Sequence, residues 1–163
     1  TYDAGPATIF HLDHLIGKTV TVLADGATHP DCLVSGAGTI TLNRSASVVQ
    51  AGLPYVPLFK NLRPEVKTQT GTIQALTKQI NQIVLRLRDT LGIQIGPDET
   101  NLFDVYFREV VDDMDAPPPL FTGDYPIEYP GGYDKEGQFI IRQNQPLPLC
   151  LQAIIMKIDV LGN

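Results

Sequence analysis

Residues 12–26 read LDHLIGKTVTVLADG, a polar turn followed by a β-branched segment and then the dipeptide Asp25-Gly26. Residues 19–23 favour a strand, because β-branched side chains pack well on a pleated surface. Asp-Gly is typical of the two-residue turn of a β-hairpin, in which both central residues adopt a left-handed conformation. The stretch therefore predicts a strand that reverses direction at Asp25-Gly26, and it indicates architecture rather than chemistry.

The residues that follow continue the β pattern. Residues 32–34 and 39–42 flank the sequence SGAG at 35–38, and this arrangement predicts a half-buried hairpin. Residues 47–51 predict another strand, which ends where a proline prevents further pairing in a central ladder. Residues 8–55 are therefore expected to form a small meander of about four strands.

The middle of the chain carries two competing patterns. Apolar residues recur at helical spacing across 73–91, with Thr72 near the start and Gly92 after the end. Within the same span, residues 83–87 alternate in the manner of a strand with one wet face. The residue pattern alone favours the helix and leaves the strand open.

The second half returns to alternation. Residues 103–107 predict a strand, and residues 122–137 predict a long Pro/Gly/Tyr loop without regular pairing. Residues 138–143 and 149–160 are rich in β-branched side chains and predict two long strands. We expect these two strands to form a closing antiparallel pair, joined by residues 144–146.

The composition excludes several functional classes. Lys and Arg number 12 against 18 Asp and Glu, which gives a net charge of −6 and leaves the basic residues scattered except for Arg86 and Arg88. Sequence-specific nucleic-acid binding is not expected, since such proteins concentrate positive charge against phosphate. No apolar run approaches the length of a membrane span, so no membrane insertion is expected. The two cysteines, Cys32 and Cys150, are expected to be small buried thiols.

Motifs for catalysis and for metal binding are missing from the sequence. There is no G-x-S-x-G, phosphate-binding loop or dinucleotide fingerprint. His11, Asp13, His14, His29 and Asp31 match no established zinc spacing and are expected to occupy turns. The acidic residues near Asp112 lack the glycine-containing loop of a calcium site. The sequence therefore predicts no catalytic residue, no metal site, no cofactor and no enzymatic activity.

Aromatic residues provide the one candidate contact surface. Tyr125, Tyr129 and Tyr133 recur every four residues in the predicted loop, with Phe121 nearby. They are predicted to form an exposed platform for a glycan or, in preference, a contact with a neighbouring subunit, because Tyr and Phe are enriched in interface cores.

Four segments, in order along the chain, resemble tail proteins of tailed bacteriophages. They are LDHLIGKTVTVLADG at 12–26, SVVQAGLPY at 47–55, PPLFTGD at 118–124 and QPLPL at 145–149. Tail tube and nozzle subunits of short-tailed phages carry such a stretch near the C-terminus. The resemblance implies a C-terminal fragment of a larger protein. The length allows one core or two small ones and favours a single β-rich domain at residues 1–163. It also favours a strand at 80–88, with a helical turn allowed within 70–77.

Together, pattern and resemblance predict a mainly β fold, either an antiparallel β-sandwich or small barrel-like sheets with long Pro/Gly-rich loops. Possible sub-units are a meander at 8–60 and strands at 70–163 that complete a sandwich. The resemblance implies a virion protein, made in the host cytoplasm and assembled as a ring-like homo-oligomer with other tail proteins. Genomic DNA would pass through the ring without specific binding. A host-surface glycan-binding domain and a tail-borne hydrolase remain as alternatives.

Overall fold

The structure, a computed structural model, describes residues 2–68, 71–74, 76–113 and 116–161. Strands make up 55% of it and helix 2%, the sheets are antiparallel, and one of them curls into a half-barrel, so the mainly β prediction is confirmed. One short 3-10 helix spans Asp13–Leu15. The strands are β1 (Tyr2–His11), β2 (Thr19–Ala24), β3 (Ala27–Leu33), β4 (Thr39–Gly52), β5 (Leu58–Lys60), β6 (Lys67–Thr68), β7 (Gly71–Thr72), β8 (Thr77–Thr90), β9 (Ile93–Gly96), β10 (Phe103–Val105), β11 (Phe121–Glu128), β12 (Ile140–Arg142) and β13 (Leu151–Leu161).

The chain divides into two compact units. Unit 1 contains Thr1–Val56 with the segments Arg108–Pro119 and Asn144–Leu147, and unit 2 contains the remaining residues. The first boundary lies close to the predicted division after residue 60. The two later segments of unit 1 were expected among the strands of the second sub-unit.

Unit 1 is built on a four-stranded antiparallel sheet in the order β1-β4-β2-β3. The predicted reversal at Asp25-Gly26 is confirmed: Ala24 pairs with Ala27, and the two residues between them have φ values of 49° and 77°. This is the left-handed pair of conformations that a two-residue hairpin requires. The core of the unit packs against the buried side of β2, and its fully buried members include Val20, Val22 and Ala24.

The predicted meander and the predicted hairpin between residues 32–34 and 39–42 are wrong. Although β3 and β4 follow each other in sequence, β2 lies between them in the sheet. The predicted strand at 47–51 is the second half of β4, which runs unbroken through 14 residues. β2 is buried on its core side and lies inside the sheet, with β3 on one side and β4 on the other. The loop at 35–38 therefore connects two strands that are not neighbours in the sheet.

Unit 2 contains sheets in the orders β10-β9-β12-β5, β11-β8-β13 and β6-β7. The strand predicted at 80–88 is confirmed within β8. The helical spacing there arises from a bulge: Lys157 pairs with Gln82 and Ile158 with Ile80, so Asn81 is an extra residue. A bulge shifts the buried side by one position, which inserts a spacing of three between spacings of two.

The helical turn allowed within residues 70–77 overlaps residues outside the described ranges, namely 70 and 75. The described residues there contribute β7, followed by a single turn in which Leu76 N–H donates to the Ile73 carbonyl. The strand predicted from residue 103 is confirmed as β10, although it ends at Val105, before Phe107.

Two predictions about the last third of the chain are wrong. Residues 122–137 do not form a loop throughout, because β11 pairs with β8 over most of its length. Pro126 is tolerated because β11 is an edge strand, whose outer side needs no N–H donor. The predicted closing pair does not form either: β12 pairs with β5 and β9, whereas β13 pairs with β8 in a different sheet.

Neither cysteine forms a disulfide, and both thiols are half-buried rather than fully buried. Burial, followed by the charge of Asp31, raises the pKa of the Cys32 thiol. Within the described ranges, no helix has the length and apolar character needed to cross a membrane.

Candidate functional site

Two of the four predicted contact residues lie together in an aromatic cluster. The ring of Phe107 lies 5.3 Å from Phe121 in a stacked arrangement and 5.1 Å from Tyr125 edge-on. Phe121 and Tyr125 are themselves 5.4 Å apart, nearly perpendicular. These are favoured geometries for aromatic pairs. The cluster lies within unit 2, at one end of β11. Phe107 is buried and the other two residues are half-buried.

The polar side of the same strand carries an ion pair. Arg86 donates two hydrogen bonds to Asp124, at 2.7 and 2.8 Å, from the neighbouring position on β8. This contact lowers the pKa of Asp124 and raises that of Arg86. Both side chains are exposed, so the pair adds little to stability. On the aromatic side, the Tyr125 hydroxyl donates to the Tyr106 carbonyl at 3.0 Å.

Tyr129 and Tyr133 lie apart from that cluster. Tyr129 is only 7% exposed and packs edge-on against Phe139, whereas Tyr133 is 54% exposed. Burial, with further contributions from the charges of Asp134 and Asp98, raises the pKa of Tyr129 to about 12. The four residues therefore do not share one exposed platform, and Tyr133 is the member of the set that faces solvent most fully.

The aromatic residues point inward because β11 has the period of a strand. Residues 121, 123, 125, 127 and 129 are buried or half-buried, and residues 122, 124, 126 and 128 are exposed. Residues two or four apart share one face of a strand. The four-residue spacing of Phe121, Tyr125 and Tyr129 is therefore a strand signal, which the intervening proline and glycine obscure, whereas Tyr133 lies beyond the strand.

The edge of β13 is a second candidate surface, which the sequence did not identify. In the described part of the chain, no strand pairs with the side of β13 that faces away from β8. Its core-facing residues Ile154, Met156 and Ile158 stand opposite buried residues of β8, yet all three are only half-buried. On its other face, Ile155 is 49% exposed. The apolar core of unit 2 therefore opens to solvent along this edge.

The sequence of β13 contains few of the features that prevent an edge strand from pairing with another chain. Natural edge strands are commonly blunted by lysines, prolines or inward-pointing charges. Over its 11 residues, β13 carries one lysine and one aspartate and no proline. The strand is thus long and close to neutral, with an apolar core-facing side and an outer face on which Lys157 and Asp159 follow Ile155.

The polar residues considered at 11–31 do not assemble a metal centre. Among the residues placed by the structure, no group of three or more His, Cys, Asp or Glu side chains is positioned to hold an ion. His29 instead accepts a hydrogen bond from the Asn43 backbone N–H at 3.0 Å, through Nε2. In the acidic segment, Asp112 accepts from the Glu109 N–H, while Asp115 lies outside the described residues.

Comparisons with protein-family models and with curated proteins find no match to this sequence.

Proposed function

We propose that this chain is a structural subunit of a bacteriophage tail, which assembles with copies of itself into a ring through which DNA leaves the particle. The open edge of β13 carries this proposal. An edge strand offers a row of N–H and C=O groups that another chain pairs with readily. Pairing there would also cover the half-buried row formed by Ile154, Met156 and Ile158.

Assembly into a ring follows from how such an edge is used. In a head-to-tail contact, the edge of one copy binds a different surface of the next copy, so every copy uses both surfaces. Such contacts form a closed ring when the rotation between neighbouring copies divides a full turn evenly. Unit 2 offers such a second surface, because β11 forms the opposite edge of the sheet that ends in β13. A head-to-tail contact between β13 and β11 would continue this sheet from one subunit to the next, with the ladder interrupted at Pro126, which has no N–H to donate.

The charge of the chain is compatible with a passage for DNA. With a net charge of −6 and scattered basic residues, a wall made of this chain would repel the phosphate backbone and would not retain it. The function is then mechanical, and the chain would hold a channel open and attach to other tail proteins. The resemblance of the four quoted segments to phage tail proteins supports this setting.

The glycan-binding alternative has less support. It predicted a platform formed by Tyr125, Tyr129 and Tyr133, but Tyr129 is buried and Tyr125 faces the aromatic cluster. An aromatic ring stacks on a sugar only when one of its faces is open to solvent. Tyr133 alone meets this condition well, and a single exposed tyrosine is a common surface residue.

Electron microscopy of the purified chain tests the assembly directly, and mass spectrometry of phage particles from the source culture tests the setting. We expect closed rings in the images and peptides of this chain in the particles. Particles that lack these peptides would contradict the assignment to a tail. Binding of the chain to a glycan array that is lost on Tyr133→Ala would favour the adhesin instead.

A further inference from the structure

A small cavity in unit 2 is lined by two buried polar side chains that lack partners. The cavity measures about 40 Å³ and is bounded by Lys78 of β8, Tyr129 just after β11, and the glycine-rich segment 131–137. Lys78 is fully buried, and Tyr129 is 7% exposed. Neither Lys78 Nζ nor Tyr129 Oη has a hydrogen-bond partner among the described residues.

The cost of leaving these groups unpaired is high. A buried ammonium group without a hydrogen-bond acceptor loses its hydration with no compensating contact, which strongly disfavours its burial. Lysine has donors only, so its partner must be an acceptor. Tyr129 retains its proton, because its pKa is raised to about 12, and it therefore also offers a donor to the cavity.

The walls of the cavity are shaped around these two side chains. A Cβ atom added at Gly137, which has a φ of +61°, would lie 2.8 Å from Lys78 Cδ. A Cβ atom added at Gly131 would overlap the ring of Tyr129. Backbone pairing holds Lys78 from the other side, since its N–H donates to the Asp134 carbonyl at 2.7 Å and its own carbonyl accepts from Asp134 N–H. The position of Lys78 is thus fixed by its neighbours.

Nearby carboxylates do not take the place of the missing acceptor. Asp134 accepts hydrogen bonds from the backbone N–H groups of Glu136 and Gly137, and Asp98 accepts from Thr100 and Asn101. Their negative charges reach Tyr129 and oppose any anion in the cavity, a doubly charged one more strongly than a singly charged one. A single negative charge therefore meets the least repulsion and can still pair with Lys78. The cavity has room for no more than about three waters, which excludes a large organic anion.

We propose that Lys78 and Tyr129 form a binding site for a small monovalent anion of the size of chloride. The anion accepts from the ammonium group and from the phenol, and it completes the core at the end of β8. It acts as a structural ligand, which stabilises unit 2 wherever chloride is abundant. This site is independent of the assembly proposed for β13, because it lies inside one unit of one chain.

Thermal unfolding of the full chain tests the site, with chloride replaced by gluconate at constant ionic strength. Gluconate is too large for the cavity, so we expect Tm to rise with chloride, saturably and by about 3 °C. Lys78→Met should remove this response, whereas Lys60→Met, which removes a charge from exposed β5, should retain it. Tyr129→Phe should shift the chloride midpoint upward about tenfold, and it serves as the second variant if Lys78→Met does not fold.

Bromide provides the structural readout on the unmodified protein. In a crystal soaked in bromide, we expect an anomalous peak between Lys78 Nζ and Tyr129 Oη. A Tm that is the same in chloride and gluconate, or a cavity that contains only water in the bromide-soaked crystal, would overturn the proposal. A chloride response that survives in Lys78→Met would overturn it as well.

Discussion

Met156 lies opposite Ile83 in the pairing of β13 with β8, and the two side chains differ in burial: Ile83 is fully buried and Met156 is half-buried. Both point to the same side of the sheet, since directly paired residues share a face. The core of unit 2 is therefore complete over β8 and incomplete over β13. A strand from another chain at this edge would bury the exposed part of the row, with a gain of about 25 cal/mol for each Å² of apolar surface.

Gly137→Ala should destabilise the chain by about 1 to 2 kcal/mol, because position 137 has a positive φ and a methyl group there would press on Lys78. Gly132→Ala is the matched control, since a Cβ at that position meets nothing within 4 Å. Urea unfolding monitored by circular dichroism measures both variants. Equal midpoints for the two variants would contradict the packing described around Lys78.

Asp25→Ala should cost about 1 to 2 kcal/mol. The Asp25 carboxylate accepts from the backbone N–H groups of Ser47 at 3.0 Å and Val48 at 2.7 Å, so it ties the hairpin turn to β4. Asp31→Ala removes an exposed carboxylate from β3 and should be close to neutral. Thermal unfolding of both variants is the measurement, and a loss of equal size at the two positions would argue against a specific role for the turn.

The stability of the chain should fall steeply between about pH 10 and pH 12, in part through Tyr129. Its pKa rises from an ordinary 10 to about 12 on folding, so the unfolded chain releases this proton first. The stabilisation is complete below pH 10 and is lost as the pH rises through 12. Tyr129→Phe should flatten this part of the Tm profile, and Tyr133→Phe should not. In an absorbance titration of tyrosine ionisation in the folded chain, the transition at the highest pH should be missing from Tyr129→Phe and present in Tyr133→Phe.

Phe107→Ala should destabilise unit 2 by about 3 to 4 kcal/mol, because it removes a buried ring that contacts both Phe121 and Tyr125. Tyr106→Ala removes the neighbouring ring, which is exposed, and should have a small effect. Denaturant unfolding compares the two variants. If Phe107→Ala left stability unchanged and weakened association instead, the cluster would be an interface and not a part of the core.

The local features of this fold were predictable from the sequence, whereas the strand partners were not. Asp25 and Gly26 both tolerate the left-handed conformation that a two-residue turn requires, so these two residues suffice to predict the β2–β3 hairpin correctly. The neighbours of β4 and β12 depend on which faces are buried, and that is a property of the whole sheet. The bulge at Asn81 gave β8 a helical spacing, and only pairing with β13 distinguishes the two readings.

The candidate surfaces were harder to predict than the fold. Lysine is almost always exposed, so nothing in the sequence singles out Lys78 as a buried residue. Its position two residues before buried Ile80 on the same side of β8 is the signal that the strand assignment makes visible. The free edge of β13 does not follow from the sequence, because the pattern predicts a partner for residues 149–160 at 138–143, and that segment belongs to another sheet.

The mass of the chain in solution tests the central claim most directly. Light scattering after size-exclusion chromatography, from low to high micromolar concentration, should give an assembly larger than a dimer for the unmodified chain. Ile155→Lys, which places a charge on the exposed face of β13, should give a monomer that remains folded. Leu62→Lys, at a residue that is 88% exposed and outside β13, should assemble normally. A monomer at every concentration for the unmodified chain, or assembly unchanged by Ile155→Lys, would contradict the account.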